Sequence, residues 1–71
     1  MSKPTNFLNE ILNENIELLL KDGRNLKGKL IGFDDHMNLV MDDTTEETEE
    51  RRRRLGTIVL RGNNLVSLNP E

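Results

Sequence analysis

The chain has 71 residues, no cysteine, one histidine and a formal net charge of −3. That length holds one compact domain that is only marginally stable alone, and the composition excludes disulfides, thiolate zinc sites and a histidine metal cluster as its support, so self-association is the expected one. No apolar run approaches the roughly 20 residues of a membrane span, and residues 1–6 lack the apolar core of a secretory leader, which predicts a soluble, cytoplasmic protein with no membrane partner.

In chain order, Phe7, Leu8, Ile11 and Leu12 recur at helical spacing in a segment that opens on Pro4 and closes on Asn13, predicting a short amphipathic helix over about 4–13. The period then changes. Ile16, Leu18 and Leu20 recur at every second position, with Glu17 and Lys21 among the intervening ones, as a first strand, and Asp22-Gly23 supplies a tight hairpin turn. Residues 25–34 form a long second strand, interrupted by Gly28 and Gly32 where the backbone can bend sharply. After the polar loop Asp35-His36-Met37, the run Leu39-Val40-Met41 makes a third strand, and residues 44–50 break the apolar pattern, predicting a loop. Ile58-Val59-Leu60 is the centre of a fourth strand, Gly62-Asn63 fits a two-residue hairpin turn, and residues 65–68 give a fifth strand. The expectation is a single domain over 1–71, mainly β: a short N-terminal helix followed by a strongly bent, five-stranded antiparallel sheet forming a small open barrel.

Six of the 13 acids lie between Asp42 and Glu50, and four of the 10 bases are the consecutive arginines 51–54. Charge is therefore local, and the acidic run can neutralise the basic one across a loop or strand; a basic patch or nuclear targeting run is the competing reading. A few positioned base-reading sites need less positive charge than a protein that coats a duplex, so −3 does not exclude single-stranded nucleic acid. A five-stranded open sheet also leaves two unpaired edges. Pairing of one copy's fourth strand with the next copy's fifth would be head-to-tail, a contact that closes into a ring whenever the rotation per copy divides a full turn.

The run Gly32-Phe33-Asp34-Asp35-His36-Met37-Asn38-Leu39-Val40-Met41-Asp42 resembles the first motif of the Sm/Lsm family, and Ile58-Val59-Leu60-Arg61-Gly62-Asn63-Asn64-Leu65-Val66 resembles the second. The motif regions cover about 15–43 and 56–68, and the short form with Arg61-Gly62 is most similar to the archaeal Sm-like branch of the family, a small-nuclear-ribonucleoprotein-like group. The resemblance implies the Sm fold, an SH3-like small barrel. It also implies a homo-oligomeric ring, commonly a heptamer with a hexamer as the alternative, that binds single-stranded uridine-rich RNA and acts as a scaffold or chaperone in RNA processing or ribonucleoprotein assembly. By the same resemblance, His36 stacks on a base, Asn38 hydrogen-bonds its edge, Arg61 stacks from the other side, Gly62 admits close backbone approach, Asp34 supports Asn38, and Asn63 stands in the RNA-binding loop where many members carry aspartate.

Flat side chains and amides can read the exposed faces and edges of single-stranded RNA, although amide chemistry alone does not choose uridine. Against an enzyme, Asp34, Asp35 and His36 are adjacent and point in alternating directions, and no nucleophile or phosphate-cradling loop completes a site; neither a metal nor a cofactor is expected. The alternative function is a small SH3-like barrel that binds proteins, but peptide capture uses aromatic grooves and this chain has two Phe, no Trp and no Tyr. The helix is expected to cover one open end of the barrel, with partner binding as its other reading.

Overall fold

In a computed structural model, which describes residues 4–71, the chain runs as helix α1 (Pro4–Glu10), then strands β1 (Asn15–Leu20), β2 (Asn25–Phe33), β3 (Leu39–Glu47) and β4 (Arg52–Leu60). A single 3-10 turn at Gly62–Asn64 leads into β5 (Leu65–Pro70). The reading of the chain's start as lacking a leader falls partly on residues 1–3, which lie outside that range. All strand pairings are antiparallel, in the order β4-β3-β2-β1-β5. The alternation seen in the sequence sets the inner face: Ile16, Leu18 and Leu20 from β1, Leu26 and Leu30 from β2, Leu39 and Met41 from β3, and Leu60 from β4 are all buried. Leu8 of α1 and Ile11 just beyond it close over the same core, so the helix caps an open end of the curled sheet.

The bend is centred on glycine. A Cβ on buried Gly28 would sit 2.9 Å from the Asp42 carbonyl oxygen and 3.0 Å from the Thr44 Cα, so only a residue without a side chain lets β2 and β3 cross this closely. The ladder slips between Lys27 and Lys29 and again between Leu30 and Gly32, which adds local twist and curls the sheet. The β1–β2 hairpin turns through Lys21, Asp22 and Gly23, with Gly23 at φ 91° and the Asp22 carboxylate accepting from the Arg24 N–H at 3.1 Å.

Three sequence expectations are corrected. The helix ends at Glu10, not Asn13, because the Asn13 N–H donates to the Leu30 carbonyl at 2.6 Å and Asn13 takes a left-handed φ of 69°; sheet bonding captures the backbone before another helical turn can form. Residues 44–50 are not a loop. Most of that stretch continues β3, paired with an equally long β4 through Glu46 opposite Arg53 and Glu47 opposite Arg52, and Thr44 and Glu46 are buried. Alternation survives there, but its inward positions are polar and apolar periodicity could not reveal it. Finally, Gly62-Asn63 does not form a hairpin turn. β4 and β5 lie at opposite edges of the sheet, and the chain crosses between them through one 3-10 turn so that β5 pairs with β1, Leu18 opposite Leu68.

Candidate nucleic-acid interface

Two connections meet at one end of the sheet: residues 34–38, between β2 and β3, and residues 61–64, between β4 and β5. The first is organised by a single carboxylate. Asp34 Oδ1 accepts from the backbone N–H groups of His36 at 2.9 Å and Asn38 at 3.0 Å, and Oδ2 accepts from Asn38 Nδ2 at 3.0 Å. The Asp34 N–H donates to the Asn38 carbonyl at 3.1 Å, and the Met37 N–H donates to the Asp34 carbonyl at 3.1 Å. Met37 completes the reversal with φ 62°, an energetically unfavourable conformation for a side-chain-bearing residue that these bonds hold in place. The Asn38 amide, joined by the N–H groups of Asn38 and His36, keeps the Asp34 carboxyl below the usual aspartate range, because each of these donors favours the ionised form.

The second connection is tied to the first through the same asparagine. Asn38 Oδ1 accepts from the Gly62 N–H at 2.9 Å. Both ends of its amide are thus held, which fixes which end is oxygen and which is nitrogen; one N–H and one oxygen lone pair stay free. Gly62 is needed here for space: a Cβ on it would lie 2.5 Å from the His36 carbonyl oxygen and 2.8 Å from that of Met37. Its φ lies outside the left-handed region, so backbone freedom is not the reason for glycine.

Of the six residues singled out from the sequence, Asp34, Asn38 and Gly62 are brought together by direct hydrogen bonds. The His36 backbone lies against Gly62, and Arg61 precedes it, so the exposed imidazole and the exposed guanidinium leave from backbones in contact. Asn63 is also exposed, but its side chain joins none of the others among the described residues. Met37 was missed. Its carbonyl forms part of the surface that Gly62 meets, and its left-handed backbone has no marker in a His-Met-Asn run. Among the described residues, no group of three or more His, Asp and Glu side chains is placed to hold a metal ion. The arrangement offers a fixed amide edge on two joined loops that also carry the exposed flat side chains of His36 and Arg61, groups of a chemistry suited to a planar heterocycle with donor and acceptor atoms on its rim.

Residues 6–70 match the LSM domain family. The chain is 40% identical over 70 residues to a protein of Methanococcoides burtonii with an snRNP Sm-like designation, covering 97% of each chain. Among solved structures, it is similar to the P. aerophilum SmAP1 heptamer, with a TM-score of 0.92 and 27% identity, covering 100% of this chain and 96% of that one. It is also similar to the Pyrococcus abyssi Sm protein solved in complex with a uridine heptamer, with a TM-score of 0.89 and 31% identity, covering 99% of this chain and 100% of that one.

Proposed function

The chain belongs to the LSM domain family, and from that premise we propose that it assembles into a homo-oligomeric ring, a heptamer, in which each copy binds one nucleotide of a single-stranded, uridine-rich RNA. The observation that carries this reading is the Asn38 amide, held by Asp34 on one side and Gly62 on the other, on the same two loops that bear the exposed His36 and Arg61. The free oxygen lone pair accepts the uracil N3–H, the free amide N–H donates to a uracil carbonyl, and the imidazole and guanidinium planes stack on the base. Each stacked base contributes about 1–3 kcal/mol, with a further cation–π share from arginine. The choice of uridine is supported by the uridine heptamer on the similar Pyrococcus abyssi protein.

Ring closure follows from the sheet's edges. Among the described residues, β4 and β5 each lack a neighbour on their outer side, and Val59 and Val66, on these two strands, are 71% and 58% exposed. Pairing the β4 edge of one copy with the β5 edge of the next satisfies both rows of backbone groups and covers apolar surface. The heptamers among its structural neighbours support that geometry. A closed ring then presents the pocket repeatedly at fixed spacing, and avidity along one RNA strand rises by about 10² to 10⁴. We assign the ring a scaffold or chaperone role in RNA processing or ribonucleoprotein assembly.

The test pairs native mass spectrometry with fluorescence anisotropy on labelled oligouridine, oligocytidine and oligoadenosine. A seven-copy mass and tightest binding to oligouridine are expected. A monomeric mass, or equal affinity for all three homopolymers, would overturn the reading.

A further inference from the structure

The pocket described above devotes its groups to the base, and a separate positive charge is fastened beside it. In the turn between β1 and β2, the Lys21 N–H donates to the Asn64 carbonyl at 2.9 Å, and the Asn64 N–H in turn donates to the Arg61 carbonyl at 3.1 Å. Lys21 is thereby joined to the far end of the 3-10 turn that follows Arg61, about 6 Å along a path that rises about 2 Å per residue. Lys21, Arg61, Asn63 and Asn64 are all exposed. The turn that carries Lys21 is held in one shape: the Gly23 N–H donates to the Leu20 carbonyl at 3.0 Å, and the Asp22 carboxylate accepts from the Arg24 N–H at 3.1 Å and from Arg24 Nε at 2.7 Å. The same bonds engage the carboxylate next to Lys21 in sequence, and Lys21 itself is in no ion pair among the described residues. Other exposed cations share that condition, but Lys29 lies opposite Asp42 in the sheet, and Arg51 and Arg54 belong to the β3–β4 hairpin. Among the described residues, none of these three has a backbone bond to the 61–64 connection.

We propose that Lys21 is the phosphate-binding residue of the site: its ammonium takes the phosphodiester of the nucleotide whose base lies in the Asn38 pocket and holds the RNA strand against the β1–β2 turn. A lysine suits this task, because a compact charge on a flexible four-carbon stem can follow a phosphate whose oxygens point in several directions. The division of labour is physical. Contacts to the phosphate fix where a strand lies, and contacts to the base fix which strand it is. Since the bond to Asn64 is made by the Lys21 backbone, the side chain is left for the ligand, and changing it keeps the turn in place. Repetition round a ring supplies one cation per nucleotide, a charged track that follows the RNA backbone. The proposal rests on the RNA reading above.

Oligouridine affinity of the full chain, measured by fluorescence anisotropy between about 0.05 and 0.2 M salt, tests it. The logarithm of affinity for a single strand falls against the logarithm of salt concentration with a slope of about 0.7 per phosphate neutralised. K21Q is expected to make that slope shallower by about 0.7 for each nucleotide held, or about 5 for seven nucleotides on a heptamer. Its native mass and its ratio of oligouridine to oligocytidine affinity are expected to match the wild type, and K21R is expected to restore the slope. K29Q removes an exposed cation elsewhere and is expected to keep the wild-type slope. A K21Q slope within about 0.5 of wild type, an equal loss of slope in K29Q, or a K21Q ring that no longer prefers uridine overturns the phosphate role and leaves the base pocket standing. A wild type that binds no oligouridine overturns the pocket and the phosphate role together.

Discussion

Substituting Gly62→Ala tests whether the two loops act as one unit. The added Cβ would stand 2.5 Å from the His36 carbonyl oxygen and 2.8 Å from that of Met37; both are backbone atoms, so no side-chain rotation relieves the clash. Restoring an ordinary non-bonded separation of about 3.5 Å moves the loops apart by roughly 1 Å. The same movement stretches the 2.9 Å bond from the Gly62 N–H to Asn38 Oδ1 to about 3.9 Å, beyond hydrogen-bonding reach. Losing that bond costs about 0.5–1.5 kcal/mol, or up to roughly tenfold in the affinity of one pocket, and the release of Asn38 and displacement of Arg61 add to it. Oligouridine affinity measured by fluorescence anisotropy is therefore expected to fall at least tenfold across a ring that repeats the defect. Native mass should stay that of the wild-type ring, since Gly62 lies outside both edge strands. Affinity within twofold of wild type would refute the coupling of the two loops.

Asn38→Ala removes the bonds to Asp34 and Gly62 together and is expected to weaken oligouridine binding at least tenfold with the ring mass unchanged, as read by the same pair of measurements. The folded pKa of Asp34 is depressed below the ordinary aspartate value of 3.8, so the stability it lends the loop is fully present above the unfolded value and is lost as pH falls through the folded one. An NMR titration of its carboxyl carbon should have a midpoint below 3.8, with the Asn38 amide signal moving only in that acid range; a midpoint at or above the unperturbed value would contradict the hydrogen-bond geometry. Leu30 is fully buried, and Leu30→Ala is expected to cost about 2–5 kcal/mol in urea denaturation at fixed protein concentration, whereas a cost below about 1 kcal/mol would mean that the site is not packed as described.

Much of the strand framework could be read from the chain because its buried side chains are aliphatic and alternate, as in Ile16, Leu18 and Leu20, and because Asp22-Gly23 marks its turn chemically. The extended β3–β4 hairpin could not be read that way. Its inward-facing members are Thr44 and Glu46, and Glu46 is tolerated inside because Arg24, from the turn before β2, and Arg53, its cross-strand partner on β4, pair with it. The crossing of the chain from β4 to β5 escaped for a related reason: Gly62-Asn63 has the composition of a hairpin turn, and only the curl of the whole sheet brings β1 within reach of β5. At the candidate site, the residue types Asp34, Asn38 and Gly62 were identifiable, but the left-handed Met37 and the bond that fixes the Asn38 amide depend on where a second loop arrives in space.

The pairing of Ile16 with Pro70 bears on how the molecule comes into being. β1 acquires its second neighbour only from the chain's last strand, so the most sequence-distant pairing in the sheet pays the largest loop-closure entropy and is expected late in folding. During synthesis, β1 and β2 can form their hairpin early, while the other flank of β1 stays open to competing strands until β5 has left the ribosome. Removing residues 65–70 would therefore do more than shorten the protein: it would leave that flank permanently uncovered and turn an ordered sheet into an aggregation seed.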